Sequence, residues 1–133
     1  TIVEFLISTI AVNAQINYDE STFQAVAYWN KNEITNYKVV SESNDYSLLL
    51  LNPDTGRKHQ LRRQLSFIKH PILGEKKYTN KGLNKSKELH LMLHAYKVEF
   101  LINSKKIIHN AELPLYFKSL CKEKGLSHDL NNL

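Results

Sequence analysis

Alternating apolar and polar positions predict a β-hairpin in the first half of the chain. Over residues 34–43, β-branched and aromatic residues are frequent and divide between two alternating faces, as in a strand with one better-buried face. Asn44 and Asp45 supply a turn. The continuous apolar run over residues 46–52 suits a central strand covered on both faces. A shorter apolar and aromatic run over residues 23–29 is a further candidate strand.

A turn and an amphipathic helix follow this hairpin without a spacer. Residues 53–56 read Pro-Asp-Thr-Gly, a composition typical of a β-turn. Leu61, Leu65 and Ile68 then recur at the i, i+4, i+7 spacing of a helical apolar stripe, with basic residues on the other faces. Pro71 and Gly74 end the helix and turn the chain again.

The C-terminal half returns to strand patterning before one more helix. Residues 89–102 alternate as a strand, residues 103–105 form a hairpin turn, and residues 106–113 form a second strand. Pro114 suits the first turn of a short amphipathic helix that Gly125 ends. Residues 126–133 are expected to fray. The pattern predicts an α+β fold, with a largely antiparallel mixed sheet and a few flanking helices.

The length of 133 residues predicts a single domain, or part of one, over residues 1–133. The first fifteen residues are apolar, but Glu4 interrupts them and no basic segment precedes them, so a strand is favoured over a signal peptide. No run approaches the length of a membrane span. The single cysteine, Cys121, excludes a disulfide framework and makes a reducing, cytoplasmic compartment the default expectation.

Charge is strongly segregated along the chain. Residues 57–87 contain ten Lys or Arg residues and one acid, Glu75, a local net charge of +9 in a chain whose total is +5. A surface of this kind most often meets a phosphate backbone. Arg57, Arg62 and Arg63 can also orient an anion, because guanidinium presents a planar two-point fork. The alternative is a solvated basic helix face without a ligand.

Other candidate sites are weaker. His90 and His94 fall on the same side of the predicted strand but lack a third metal ligand nearby, so a packed or hydrogen-bonded pair is the favoured interpretation. Asp54 suits a turn-former better than a catalytic acid. Cys121 lies among helix-period apolar residues, which indicates a structural thiol and not a nucleophile.

Taken together, three segments resemble the RluA-like family of pseudouridine synthases. TGRKHQLRRQLSFIKHPILGEKKY, LMLHAYKVEF and AELPLYFKSL are similar to the C-terminal half of that family's catalytic domain, whose signature is a TGR-x-HQ-[IL]-R helix, an HPI-x-GD-x-x-Y turn and an LLHA strand. The resemblance covers residues 34–125, whereas residues 1–30 match poorly. Glu75 stands where the family has Asp, and Arg63-Gln64 where it has Val-His.

The resemblance implies an enzyme that flips a uridine out of rRNA or tRNA and rejoins its base to ribose through carbon, without cofactor or metal. Arg62 takes the place of the arginine that ion-pairs with the catalytic aspartate. The RNA-binding residues would be Arg57, Lys58, His59, Gln60, Arg63, Lys76 and Lys77. The motif's structural positions would be Thr55, Gly56, Pro71, Gly74, Tyr78 and His94.

The aspartate segment of the family, HRLD-x-x-TSG, is not found in this chain. The sequence therefore looks like an N-terminally truncated catalytic domain: a fragment of a longer enzyme, the product of a degraded gene, or a piece that relies on a partner chain. Arg62 would then face an empty slot. Three functions stay open, namely part of a pseudouridine synthase, inactive as this chain alone; a non-catalytic RNA-binding remnant; or a basic face that serves solubility. A monomer is expected.

Overall fold

The computed structural model describes residues 2–14, 24–26, 34–43, 45–53, 58–78 and 90–130. Along them lie eight elements, which are β1 (Ile2–Ala14), β2 (Gln24–Val26), β3 (Thr35–Glu42), β4 (Tyr46–Pro53), α1 (Gln60–Phe67), β5 (Leu93–Ile102), β6 (Lys105–Asn110) and α2 (Leu115–Glu123). The predicted α+β class is confirmed. Every strand pairing in this part of the chain is antiparallel.

The strands form one sheet in the order β2-β3-β4-β1-β5-β6. The first strand therefore lies in the middle, paired with β4 on one side and with β5 on the other. Its residues Thr9 and Ala11 are buried. The strand interpretation of the first fifteen residues is confirmed, and the apolar run is explained by a central position in the sheet.

The hairpin of β3 and β4 follows its predicted pattern. Leu48, Leu49 and Leu51 of β4 are fully buried, as expected for a strand covered on both faces. In β3 the buried side chains are Thr35, Tyr37 and Val39, which alternate with half-buried neighbours. A register shift after Val39 places Ser41 opposite Leu48 and ends the strict alternation.

The two helices seal the core of the sheet. From α1, Leu65 is buried, and from α2, Phe117, Leu120 and Cys121 are buried. Burial raises the pKa of the Cys121 thiol to about 11, so the prediction of a structural cysteine is confirmed. Among the described residues, no helix is both long and apolar enough to cross a membrane.

The segment after α2 is packed against the domain, which corrects the prediction of a frayed tail for residues 126–130. Leu126 is 4% exposed, and its N–H donates to the Cys121 carbonyl at 2.8 Å. The next residue, Ser127, donates its N–H to Ser41 Oγ at 2.9 Å. Gly125 at positive φ folds the chain back, and Leu126 and Leu130 then pack against the core. Residues 131–133 lie outside the described residues.

Several predicted boundaries shift by a few residues. The strand predicted over residues 89–102 begins at Leu93, because Met92 donates its N–H to the Leu73 carbonyl at 2.9 Å and so joins the turn after α1. The strand predicted over residues 106–113 ends at Asn110. Of the candidate strand at residues 23–29, the structure describes Gln24–Val26, which pairs with β3.

Gly74 allows the close packing between the turn after α1 and the start of β5. Its φ is +86°, and a Cβ at this position would lie 2.0 Å from the His90 carbonyl oxygen. No side chain fits there without movement of the backbone. Gly125 has a similar φ of +71°, but its nearest neighbour would be Ser43 Cβ at 3.9 Å, an ordinary contact.

These two glycines form a matched pair for a stability measurement. We expect Gly74→Ala to lower the free energy of unfolding by about 3 kcal/mol or more, because backbone strain and a backbone clash add together. Gly125→Ala should cost about 1 kcal/mol, since it carries the strain alone. Urea unfolding followed by circular dichroism measures both. Equal losses for the two variants would contradict the close approach at Gly74.

Candidate functional site

The candidate site is built around an ion pair between helix α1 and the turn that follows it. Arg62 donates from Nε to Glu75 Oε2 at 2.6 Å and from Nη2 to Glu75 Oε1 at 2.8 Å. Two parallel hydrogen bonds of this kind fix the plane of a guanidinium as well as its position. Arg62 therefore does not face an empty slot, and the expectation that it lacks a partner within this chain is corrected.

Glu75 is held from two further directions. Its side chain is fully buried, and Oε1 accepts the backbone N–H groups of Lys77 and Tyr78, both at 3.1 Å. Burial works against ionisation of this carboxyl, but the hydrogen bonds from Arg62, Tyr78 and Lys77 outweigh it, so the pKa of Glu75 is lowered. Glu75 is thus an ionised internal anchor.

Arg62 reaches from this anchor toward the surface. Its side chain is 20% exposed, and its guanidinium carbon lies 5.4 Å from the centre of the Tyr78 ring. Hydrogen bonding to Glu75 raises the pKa of Arg62 above its ordinary value. Glu75 uses two of the five N–H donors that an arginine carries. The rest of the guanidinium is available to a second acceptor.

His59 and Tyr78 form a second contact beside the ion pair. His59 precedes α1 with a left-handed backbone (φ 53°), and its Nδ1 lies 2.8 Å from the Tyr78 hydroxyl. Partial burial, followed by the charges of Arg62 and nearby lysines, lowers the pKa of His59. A neutral imidazole can share one proton with a phenol, so this contact fixes Tyr78 without adding charge.

A buried polar network attaches α1 to strand β3. Gln60 Nε2 donates to Thr35 Oγ1 at 3.0 Å, and the Thr35 hydroxyl donates to Gln64 Oε1. Gln60 is 3% exposed and Gln64 fully buried. The structure therefore places Gln60 inside the fold, although it was predicted among the residues that face RNA. Its side-chain amide donates a hydrogen bond to Thr35 of β3, and this contact positions the helix.

The remaining predicted RNA-binding residues lie at the surface or outside the described residues. Lys58, Lys76 and Lys77 are exposed, and Arg63 is half-buried with its Nε donating to the Lys58 carbonyl at 3.0 Å. Arg57 lies outside the described residues. The exposed cations border the Arg62–Glu75 pair on both sides, along the chain before α1 and after the turn.

The predicted structural positions are distributed as follows. Pro71 is buried in the turn after α1 and does not end the helix as predicted, because α1 already ends at Phe67, and Gly74 packs on His90. His94 makes its contacts with residues other than Arg62. Its Nε2 lies 3.1 Å from the Ala111 carbonyl oxygen, and its ring is tilted against the ring of Phe117. Thr55 and Gly56 lie outside the described residues. Within the described residues, no group of three or more His, Cys, Asp or Glu could hold a metal ion.

Glu75 was not among the predicted site residues, although it is the carboxylate that holds Arg62. It stands where the family signature has aspartate. The sequence does single out Glu75 in one respect, because it is the one acidic residue among ten basic residues between residues 57 and 87. A single carboxylate in such a segment can neutralise one of the neighbouring cations, and the structure shows that it pairs with Arg62.

Removal of the Glu75 charge should destabilise the fold in a pH-dependent way. We expect Glu75→Gln to lower the free energy of unfolding by about 3 kcal/mol at pH 7, because it leaves Arg62 without its counterion. The folded-state pKa of Glu75 lies below the ordinary value of 4.5, so the ion pair stabilises the fold above that pH. Its contribution is lost as the pH falls through the folded-state pKa.

Urea unfolding of both proteins between pH 7 and pH 3 measures this difference. Glu99→Gln is the matched control, because Glu99 also pairs with lysines, Lys97 and Lys106, but on a partly exposed strand. It should cost less than about 1 kcal/mol. A difference between wild type and Glu75→Gln that stays constant down to pH 3 would contradict the assignment.

The chain matches known RNA-modifying proteins in sequence. A family model described as RNA pseudouridylate synthase matches residues 5–67, so the match begins upstream of residue 34, where the resemblance was predicted to start. Ribosomal large subunit pseudouridine synthase D of Borreliella burgdorferi is 36% identical over 104 residues, 76% of this chain and 31% of that protein. tRNA pseudouridine synthase C of Salmonella typhi is 48% identical over 59 residues, 41% of this chain and 23% of that protein.

The fold has solved counterparts. The structure of human RNA pseudouridylate synthase domain containing 4 superimposes with a TM-score of 0.75 at 22% identity, covering 92% of this chain and 63% of that chain. The chain spans about a third of the length of the first curated relatives it matches. In sequence and in fold, the chain belongs to the RluA-like family of pseudouridine synthases.

Proposed function

We propose that this chain forms the RNA-facing, arginine-bearing part of an RNA pseudouridine synthase that acts on uridine in rRNA or tRNA. Its relatives are named for rRNA and for tRNA modification, which supports both substrate classes. In this proposal Arg62 places the catalytic aspartate, which belongs to a segment outside this sequence. As in the family, we expect no cofactor or metal, and we propose a monomeric, cytoplasmic protein.

The observation that carries the proposal is the geometry of Arg62. Glu75 occupies one side of the guanidinium and leaves the side chain partly exposed, with N–H donors for a second carboxylate. An arginine that had only to hold the turn could be covered completely. An arginine that must present a fixed plane to another carboxylate needs what Glu75 provides, a rigid support behind it.

The surrounding charges support RNA as the partner. Lys58, Lys76 and Lys77 are exposed around this pair, and they lack a described acidic partner. Uridine must leave its base stack before its glycosidic bond can be reached, and phosphate contacts hold the flanking strand while it does so. The lysines would bind the phosphate backbone of the RNA, while Arg62 would position the catalytic aspartate.

A non-catalytic RNA-binding remnant is the second candidate. The observation that favours it is the exposed basic surface of Lys58, Lys76 and Lys77, which can bind RNA without a catalytic aspartate. The coding sequence upstream of Thr1 separates the two functions: an in-frame HRLD-x-x-TSG segment supports the enzyme, and a stop codon supports the remnant. Both candidates share the basic face and differ in whether Arg62 has an aspartate to position.

The role of Arg62 can be tested in the protein that includes the upstream segment. We expect Arg62→Lys to reduce pseudouridine formation by about 100-fold or more, because it keeps the charge but loses the fork that fixes the aspartate. Arg63→Lys is the matched control and should remain within a few-fold of wild type. Pseudouridine is measured by chemical labelling of the RNA product, with circular dichroism to confirm folding. Wild-type activity of Arg62→Lys would refute the assigned role.

The basic face can be tested on the chain alone. We expect RNA affinity to fall steeply with salt, and the Lys76→Gln, Lys77→Gln double variant to reduce the slope of log K against log salt by about 1.4 for single strands. Lys105→Gln with Lys106→Gln makes the same charge change on β6, at the other end of the sheet, and should leave the slope unchanged. Affinity that ignores ionic strength would exclude RNA binding by this face.

A further inference from the structure

An aromatic stack lies at the protein surface outside the Arg62 site. The rings of His90 and Tyr116 are 4.1 Å apart between centroids and inclined by only 15°, so they overlap face to face. Both residues are exposed. Tyr116 keeps 38% of its surface open although His90 covers part of its ring. A stack formed only to seal the core would bury these rings, whereas this pair leaves aromatic surface open to solvent.

The stack is joined to the candidate site by the turn at Gly74. The His90 carbonyl packs directly on Gly74, and the chain continues from there to Glu75 and the exposed Lys76 and Lys77. The backbone of His90 therefore lies against the turn that carries these lysines. Neither ring takes part in the contacts of Arg62, so the stack is not explained by the positioning of that arginine.

Helix α2 carries further positive charge, on the side of the helix away from Tyr116. Lys118 and Lys122 lie one helical turn apart and are both exposed, and Leu115 in the first turn is 79% exposed. An aromatic platform next to the turn that carries the exposed Lys76 and Lys77 fits a single-stranded nucleic acid, whose bases have flat faces and whose backbone is anionic. An apolar protein partner would leave the lysines without counterions on binding.

We propose that the His90–Tyr116 stack is a base-stacking platform for a single-stranded segment of the RNA, with Lys76 and Lys77 of the neighbouring turn contacting its phosphates. The proposal rests on the proposed RNA-binding function and extends it to a second contact. One unpaired base would lie against the open aromatic surface. The substrate would then be an RNA with an unpaired nucleotide next to the uridine, since a paired base cannot leave its stack without cost.

The experiment compares two probes, a short single-stranded oligouridylate and an abasic oligonucleotide of the same length, by fluorescence anisotropy. We expect Tyr116→Leu to weaken binding of oligouridylate about tenfold, with an unchanged salt slope, and to leave the abasic probe unaffected. Tyr116→Phe keeps the ring and should bind as wild type. Lys118→Gln with Lys122→Gln changes charge on the other side of α2 and should leave the preference for oligouridylate over the abasic probe unchanged.

Three outcomes would overturn the proposal. If Tyr116→Leu binds oligouridylate as tightly as wild type, or weakens both probes equally, the stack does not contact a base. If wild type binds the two probes with equal affinity, no base is stacked anywhere on the chain. His90→Gln repeats the comparison should Tyr116→Leu fold poorly by circular dichroism. If the affinity of wild type for RNA does not depend on salt, the proposed function itself is overturned.

Discussion

The ion pair between Arg62 and Glu75 is the interaction on which the site depends. A buried carboxylate is costly unless its charge and its lone pairs are satisfied, and Glu75 receives a bidentate guanidinium together with two backbone N–H groups. The same bonds shape the turn, because the N–H groups that Glu75 accepts belong to Lys77 and Tyr78. One side chain thereby fixes an arginine, a turn and a tyrosine at once.

This anchor is effective because α1 is itself fastened to the sheet. The helix has only eight residues, too short to be stable alone, and no side chain caps its start. The network of Gln60, Thr35 and Gln64 joins it to β3, and Leu65 buries its apolar side. Residues far apart in sequence therefore determine where Arg62 points. The attachment to β3 holds the site in place.

Basic residues in the segment around α1 divide into two roles that charge alone does not separate. Arg62 turns inward to a carboxylate, while Lys58, Lys76 and Lys77 remain at the surface. The difference follows from position on the helix and the turn, together with the one available counterion. The count of ten basic residues against one acidic residue identifies the basic surface. The hydrogen bonds of Glu75 show that Arg62 is the cation held in a fixed position.

The sequence by itself determined the α+β class, the β3–β4 hairpin, both helices and the buried Cys121, because these follow from local periodicity and turn chemistry. Family motifs added Arg62. Only the tertiary structure decided that β1 lies at the centre of the sheet, that Gln60 faces inward and that residues 126–130 pack on the domain. The partner of Arg62 also emerged only there. Each of these depends on contacts between distant segments, which no local pattern encodes.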